Sequence, residues 1–501
     1  MDRWQTKQFL LEGGLILNED VLAQGTNKPG SLIKAVNFEV GLEGGYRRIS
    51  GYAKFDPDPV PGTGNVFGVA IFADSVIAAR GAGIYRSTGA GWTAISTDTR
   101  AGTGRYRHTI YNWAAPTITL VNGAGQPVKY SGGVYTVLAT APASASHVAE
   151  YKRHLFFGKN SSVIFSAPAD DTNYTPGAGA GEINVGFVIV GMQTWRDALI
   201  VFGKNSIKRI TGSNATDFVL ENITSDLGCA ASDSIQELGG DLVYLSQDGI
   251  RTVAATEKIG DLELGTLSKP IQARTSALLK TVGGDNLVST VVRGKSQYRL
   301  LSGNPAIDPA AAEGVLGCIR GSLEGNAGWE WFDLIGFNAT CAHSALFADS
   351  ELVIHGGSDG YVYRQDFGDS LDGLPIAAYL QTPYLPLEDP NIRKTLYKLS
   401  AYLALEGGAA FRVNTLFDYD DLGSIQPPGV DFSGFGNGLV TYDSTNVYDG
   451  IGVYDSNPYP VFFTNLVGSG FAVSFVFSSY DILPAYALRA LAVQYSLGGR
   501  R

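Results

Sequence analysis

The sequence predicts an all-β protein, a β-propeller of six or seven blades with an additional C-terminal β-sandwich-like domain. Glycine supplies 63 of the 501 residues, about twice its usual share, and charged residues are sparse. Short apolar runs alternate with turns rich in Gly, Asn, Asp and Ser, the residues that tight hairpin turns favour. These hairpins recur at steps of about 36 to 44 residues, the period of a four-stranded propeller blade.

The repeated element is an apolar strand, a polar turn and a second strand. Seven copies begin at positions 74, 116, 153, 197, 240, 296 and 350, among them DALIVFGKNSIKRITG and GDLVYLSQDGIRTVA. The last two steps widen to about 55 residues, which two inserts explain. One is a short helix near 268–282, with Ser268 as its predicted cap and Pro270 in its first turn. The other is the loop at 304–314.

Three regions follow from these patterns. Residues 1–60 are predicted to be N-terminal lead-in strands, and residues 61–371 the propeller with the helical insert. Residues 372–501 are predicted to form the C-terminal β domain, because FRVNTLF, FAVSFVFSSY and LAVQYSL alternate with the period of a strand. This last region also holds a loop near 436–460 that is rich in Gly, Tyr and Asp.

Composition argues against several classes of protein. The net charge is −11 with no long Lys or Arg run, whereas proteins that grip DNA need a basic patch. Three dispersed cysteines without a CxxC motif indicate neither a disulfide framework nor a zinc site. No secretion signal and no apolar run of about 18 residues is visible. We therefore expect folding in a reducing cytoplasm without membrane insertion.

No residue pattern points to catalysis, and we expect no enzyme, no cofactor and no metal. His343 follows Cys341 by two residues, but without further ligand spacing we interpret it as a core or loop histidine. Asp248 lies in SQDGIRTV, which departs from the S-x-D-x-G-x-x-W box of sialidases. Turn chemistry explains Asp248-Gly249 on its own. Other carboxylates, such as Asp170 and Asp171, carry no mark that separates them from turn residues.

Aromatic side chains offer two structural hypotheses. The tryptophans spread along the repeats are interpreted as packing between blades rather than as a sugar-binding platform: Trp92, Trp113, Trp195, Trp329 and Trp331. Trp195, Arg196 and Asp197 are predicted to stabilise a junction between blades. The tyrosines of the 436–460 loop are candidate tip-loop contacts: Tyr442, Tyr448 and Tyr454.

Several stretches together resemble a known family. PGSLIKAVNFEV followed by GGYRRISGY, the central TWRDALIVFGKNSIKRITG, LSQDGIRTV and the closing GGRR resemble the nozzle proteins of short-tailed bacteriophages, also called tail tubular protein B or packaged-DNA stabilisation proteins. The resemblance implies a structural virion protein, assembled in the host cytoplasm into a ring of six copies. Such a ring extends the DNA channel below the portal, retains packaged DNA and opens for ejection.

The same resemblance implies the partners. We expect the chain to contact its own copies, the phage adaptor or head–tail connector, and a tail fibre or tail-tip protein, while DNA passes without sequence-specific binding. Six copies at −11 each would carry about −66, which repels DNA over about 8 Å at physiological salt. The alternative is a carbohydrate-binding or glycan-hydrolysing propeller that recognises a receptor.

Overall fold

The computed structural model describes residues 4–100, 102, 104–258, 266–303, 311–320, 328–420, 426–435 and 461–498. These residues divide into two compact units. The first unit comprises Met1–Ala53, Val315–Gly336 and Asp366–Arg501, and the second unit comprises Lys54–Gly314 and Phe337–Gln365. Strands dominate both units.

The regular elements are given in chain order. The N-terminal part forms β1 Gln5–Leu10, α1 Val21–Asn27, β2 Lys34–Val36, β3 Phe38–Val40, β4 Tyr46–Arg48 and β5 Tyr52–Lys54. Next come β6 Val66–Ile71, β7 Val76–Arg80, β8 Gly83–Ser87, β9 Thr93–Ala94, β10 Arg107–Asn112, β11 Pro116–Val121, β12 Val128–Ser131, β13 Val134–Val137, β14 His147–Tyr151, β15 His154–Lys159, β16 Ser162–Phe165 and β17 Gly181–Asn184.

The central part continues with β18 Gly191–Trp195, β19 Ala198–Phe202, β20 Ile207–Thr211, β21 Val219–Thr224, β22 Gln236–Leu238, β23 Asp241–Ser246, β24 Gly249–Thr252, α2 Val253–Lys258, α3 Gln272–Thr281, β25 Leu287–Val292, β26 Gln297–Ser302, β27 Glu313–Arg320, β28 Gly328–Ile335, β29 Cys341–Phe347, β30 Ser350–Gly356 and β31 Val362–Gln365. The C-terminal part forms β32 Ile376–Gln381, β33 Lys394–Leu405, β34 Gly408–Phe417, β35 Val430–Phe435, β36 Val461–Asn465, β37 Ser469–Gly470, β38 Val473–Asp481 and β39 Tyr486–Leu497.

The second unit is a β-propeller, as the sequence predicted. Four sheets have four antiparallel strands each, β6–β9, β10–β13, β14–β17 and β18–β21, and a three-stranded sheet, β22–β24, follows. The sixth sheet contains β29–β31, and the chain after Lys54 runs beside it, with Phe55 N donating to Val362 O (2.8 Å). The hairpin β25–β26 takes a seventh position, since it contacts β22 on one side and β29 on the other. Contact between β29 and β6 closes the ring.

The repeated hairpins of the sequence correspond mainly to the second and third strands of these blades. The stretch DALIVFGKNSIKRITG, for example, forms β19 and β20. Its predicted turn closes through a hydrogen bond from Gly203 N to Ser206 O (2.8 Å). Apolar clusters fill the space between neighbouring blades, which explains why each second strand is buried on both faces.

The predicted helical insert contains a single turn of 3₁₀ helix at Lys269–Ile271 followed by α3. Pro270 lies in the first turn, as predicted. The expected role of Ser268 is wrong in one respect, because its hydroxyl makes no cap hydrogen bond to the helix. Instead it accepts from Ile250 N (2.9 Å), and so it ties the insert to the preceding strand. Of the second predicted insert, 304–314, only residues 311–314 are described.

The first unit contains a β-sandwich. One sheet has the strand order β3-β4-β39-β33-β36, with β1 also paired to β39 and β37 to β33. In the facing sheet the strands run in the order β28-β2-β32-β38-β34-β35. Phe411 of this second sheet lies 5.9 Å from Phe462 and 5.0 Å from Tyr486 of the first, measured between ring centroids. These aromatic contacts form part of the core between the two sheets.

The observed units differ from the predicted boundaries in a way that strand pairing explains. Residues 1–53 are not a separate lead-in but part of the C-terminal sandwich, because β1 and β4 both pair with β39. Residues 315–336 also join this unit, since β28 pairs with β2. The propeller unit begins at Lys54 and not at 61, because Val60 N donates to Gly360 O (3.0 Å) of its last blade.

Candidate functional site

A polar cavity of about 500 Å³ occupies the axis of the propeller. Residues of the first strand of each blade line it, from β6, β10, β14, β18, β22, β25 and β29. The axis of a propeller is a natural ligand site, because strands from every blade converge there. This cavity is therefore the first place to test for chemistry.

An ion-pair cluster crosses the channel. Arg105 donates through Nη1 to Asp233 Oδ2 (2.6 Å), and Arg107 donates through Nε to Asp233 Oδ1 (2.7 Å). Arg107 belongs to β10, whereas Asp233 is hydrogen-bonded through its carbonyl to Ser289 N of β25 (2.8 Å). At least two blades separate β10 from β25 in either direction around the ring. The cluster therefore braces one side of the propeller against the other.

The charges of this cluster hold Asp233 ionised. Burial raises the pKa of the Asp233 carboxyl, but the charges of Arg107 and Arg105 outweigh burial and hold that pKa far below its ordinary value. A general acid needs a raised pKa near the working pH. Asp233 is thus suited to bracing the channel and unsuited to donating a proton to a substrate.

Two histidines meet beside the cluster. His108 Nε2 lies 3.2 Å from His343 Nε2, and His343 Nδ1 accepts from Ile71 N (3.2 Å). A neutral imidazole has one N–H and one lone pair, so His343 carries its proton on Nε2 and donates it to His108. Burial lowers the pKa of His108 to about 4, and burial, then His108 and Arg293, lower the pKa of His343.

This tautomer bears on metal binding. Because the Nδ1 lone pair of His343 is used by the Ile71 amide, its Nε2 keeps a proton and cannot ligate a metal ion at the same time. Cys341, two residues earlier, is buried, and burial raises the pKa of its thiol to about 12. Among the residues that the structure describes, no group of three His, Cys, Asp or Glu side chains could hold a metal ion.

A third histidine, His147 at the start of β14, connects the residue before this strand with the loop before β22. His147 contacts Ser146 Oγ through Nδ1 and Ser232 Oγ through Nε2, both at 2.9 Å. Burial, and then the charge of Arg107, lowers the pKa of His147 to about 3. This side chain is neutral at pH 7 and serves as a hydrogen-bond bridge between loops that precede different blades.

Glu150 and Glu237 also line the axial cavity, whereas Asp248 lies outside its lining. Glu150 Oε1 accepts from Arg153 N (2.9 Å) and from Trp113 Nε1 (3.3 Å). Asp248 of the SQDGIRTV stretch pairs with Arg251, whose hydrogen bond and charge outweigh burial and lower the pKa of the Asp248 carboxyl. Glycosidases need one carboxyl with a raised pKa facing a second. Asp248, whose pKa is lowered, does not suit the role of the general acid.

The predicted junction residues lie between three neighbouring blades. Trp195 is buried and donates through Nε1 to Gly240 O (3.1 Å) of the next blade. The Arg196 guanidinium stacks over the Trp195 ring at 4.2 Å. The Asp197 carbonyl accepts from the hydroxyl of Tyr151 in the preceding blade (2.9 Å).

The other aromatic candidates separate into two groups. The tryptophans of the propeller pack against the apolar clusters of their blades, Trp92 and Trp113 at the edges and Trp195 within. Trp329 stacks on buried Trp331 with 5.4 Å between ring centroids. Tyr442, Tyr448 and Tyr454 of the predicted tip loop lie outside the described residues.

Exposed apolar side chains lie among polar ones, such as Gln8 and Ser400, on the outward face of the seven-stranded sheet in the first unit. Residues that pair across neighbouring strands point to the same face, which places Leu10, Tyr402 and Val461 in one row. Phe463 lies in the next row. Leu10 is 61% and Phe463 57% exposed. Among the described residues, sixteen exposed large apolar side chains belong to the first unit and five to the propeller.

Fold and site thus define a β-propeller protein with a braced axis and exposed apolar side chains on its β-sandwich. No protein-family model and no curated protein matches the chain. Solved structures similar to it include the extracellular domain of a one-component system from B. thetaiotaomicron, at 10% identity and a TM-score of 0.41. That match covers 72% of this chain and 46% of the other, so the chain spans less than half of that domain's length.

Two further solved structures are similar at the same level. An ancestral GH74 enzyme matches at 12% identity and a TM-score of 0.39, covering 66% of this chain and 50% of the enzyme. The AfRom2 CNH domain matches at 9% identity and a TM-score of 0.39, covering 63% and 99%. Likenesses this distant do not extend to function. Within the described ranges, no helix is long and apolar enough to cross a membrane.

Proposed function

We propose that this chain is a structural virion protein of a short-tailed phage, a subunit of a tail nozzle built as a ring of about six copies. In this proposal the ring extends the DNA channel below the portal and adaptor, retains packaged DNA and opens for ejection. The chain has no enzymatic role in it. Its expected contacts are its own copies, the adaptor and a tail fibre or tail-tip protein.

The observation that carries the proposal is the group of exposed apolar side chains on the outward face of the seven-stranded sheet. Exposed apolar side chains that cluster on a surface mark sites that bind another protein. Leu10, Tyr402, Val461 and Phe463 lie together on it, and the charged side chain in the adjoining row, Lys398, lies over the Phe463 ring at 4.0 Å. A chain that assembles with its own copies would bury this face.

The propeller axis supports the same proposal by excluding one route for DNA. The axial cavity holds about 500 Å³, and the Arg105–Asp233–Arg107 cluster crosses it. This space is too small for a DNA duplex, which is about 20 Å wide. DNA would therefore pass through the centre of a ring of subunits and not through a propeller. The net charge of −11 suits a wall along which a polyanion slides without being held.

The test is to purify the chain and measure its mass in solution and its symmetry by electron microscopy, alone and with the adaptor as a template. The proposal expects rings of about six copies and no retardation of duplex DNA at physiological salt. A chain that stays monomeric under both conditions, or that binds duplex DNA tightly, would contradict it.

A second candidate rests on the axial cavity itself. Its lining is polar, with Gln193, Gln236 and Ser289 among its side chains, as expected of a site for a polyhydroxylated ligand in a carbohydrate-binding propeller. Tyr106 is the one Phe, Tyr or Trp among the described lining residues, whereas sugar sites usually provide aromatic stacking. A glycan array and a reducing-end hydrolysis assay test this candidate, which requires binding that Gln193→Ala weakens.

A further inference from the structure

The seven-stranded sheet of the first unit has two edge strands, β1 and β36, that each have a single ladder neighbour among the described residues. β1 pairs with β39 and has no second ladder, and β36 pairs with β33 and has no second ladder within the same described ranges. An open edge presents unpaired N–H and C=O groups that template another strand. Proteins usually protect such an edge with charges, prolines or a bulge.

The edge strand β36 lacks that protection, and β1 carries a single charged residue, Lys7. β36 has the sequence VFFTN, with no charge and no proline, and β1 has the sequence QTKQFL, with one lysine. Neither strand contains a carboxylate, so no like-charge repulsion between carboxylates would oppose their approach. Both strands present an exposed apolar side chain on the outward face, Leu10 from β1 and Phe463 from β36.

The strand directions make the two edges complementary. β1 is antiparallel to β39, β39 to β33, and β33 to β36. The polarity therefore alternates without interruption across these four strands. If a second copy places its β1 beside β36 of the first, the new pair is antiparallel as well, which is the more stable type of ladder. The rows also correspond, because Leu10 and Val461 lie in one row and Gln8 and Phe463 in the next.

We propose that β36 of one copy pairs with β1 of the next, so that the outer sheet continues from subunit to subunit around the ring. The partner is a second copy of this chain. This inference rests on the proposed function, since it describes how the ring is joined. A head-to-tail contact between two different edges closes into a ring when its rotation closes, and pairing by strand addition supplies affinity through main-chain hydrogen bonds.

The ladder alone is short. Five residues of β36 meet six of β1, and a stable interface buries about 1,600 Å² in total. Side chains beside the joined edges, such as Leu10 and Phe463, would add contact area to the ladder. Leu10 and Phe463 would lose their exposure on assembly, and each copy would use both edges, one toward each neighbour.

The experiment compares backbone hydrogen exchange in the assembled and dissociated native chain, together with three variants. We expect the amides of 5–10 and 461–465 to exchange at least tenfold more slowly in the ring. Phe463→Lys and Leu10→Lys should each raise the dissociation constant at least tenfold, as measured by mass photometry. The matched control is Val134→Lys, at an exposed position on β13 of the propeller, and it should assemble as the native chain does.

The outcomes separate this inference from the proposed function. Rings in which both strands exchange as fast as in the dissociated chain would overturn strand pairing and leave the nozzle proposal standing. If Phe463→Lys and Leu10→Lys assemble as well as the native chain, strand pairing is likewise overturned and the nozzle proposal still stands. A native chain that forms no ring with or without the adaptor would overturn both. Circular dichroism shows whether each variant is folded, and both substituted side chains are more than half exposed in the native structure.

Discussion

Acid should unfold the propeller far above the pH at which its carboxylates protonate. All five histidines of the chain belong to the second unit. Burial lowers the pKa of His108 to about 4 and that of His147 and His355 to about 3, with Arg107 and Arg299 adding to the effect at the latter two. In the unfolded chain each would return to its ordinary value of 6.5.

The sign and size follow from proton linkage. Between pH 6.5 and about 4 the unfolded chain holds protons that the folded chain does not, so the stability falls as the pH falls. Each such histidine gives a slope of about 1.4 kcal/mol per pH unit. Three of them remove about 7 kcal/mol between pH 7 and pH 4.5, which is comparable with the whole stability of a typical domain.

The assay is urea unfolding at pH 7, 6 and 5, followed by near-ultraviolet circular dichroism. His147→Gln should make the dependence on pH shallower by about 1.4 kcal/mol per unit, whatever its effect on the stability at pH 7. A free energy of unfolding that stays constant or rises between pH 7 and pH 5 would refute the reasoning. A native slope that His147→Gln leaves unchanged would refute the part assigned to His147.

Three further variants test the contacts between blades, each by urea unfolding at pH 7. Asp233→Asn should destabilise the propeller by about 1.5 to 3 kcal/mol, because two partly buried guanidinium groups lose the charged acceptor of their hydrogen bonds. Asp197→Asn, whose side chain is 86% exposed, should change the stability by less than about 1 kcal/mol. If Asp233→Asn and Asp197→Asn lower the free energy of unfolding equally, the bracing role of Asp233 is contradicted. Trp195→Phe should cost about 1 to 2 kcal/mol, because Gly240 O loses its donor, and an unchanged midpoint would show that Trp195 does not stabilise the junction through this bond.

The propeller could be predicted from the sequence because its signal is local and repeated. Each blade places an apolar second strand and a polar turn at nearly the same distance from the last. The prediction located the turn between the second and third strands correctly, and Gly203 in one such turn shows a second reason for a glycine there. Gly203 does not have a positive φ, and a Cβ there would lie 2.5 Å from the Phe187 ring. Close packing, and not turn conformation, requires the glycine.

Turns between the first and second strands gave a weaker signal. Lys152 and Arg153 both have positive φ, 50° and 61°, in the two-residue turn between Tyr151 and His154. Such turns usually carry Asn or Gly. A Lys-Arg pair therefore does not indicate a turn in the sequence. The pairing of β14 with β15 determines the conformation of this turn, and the turn residues themselves do not predict it.

The axial site could not be predicted, because nothing local marks it. Arg105 and Asp233 are 128 positions apart and meet only because the propeller closes into a ring. His108 and His343 are separated by 235 positions for the same reason. Each residue alone is an ordinary member of a strand or loop. Their roles depend on the ring order of the blades, which the hairpin period does not supply.

The braced axis and the open sheet edges point to different duties for the two units. A propeller whose opposite sides are joined by Asp233 resists opening, since separating the blades would take the carboxylate away from two partly buried guanidinium groups. The sandwich, in contrast, leaves Leu10 and Phe463 exposed on two edge strands that each have a single ladder neighbour among the described residues. In the proposed ring, a change of shape would therefore be expected at the joints between sandwich units, where one short ladder per contact can break and form again.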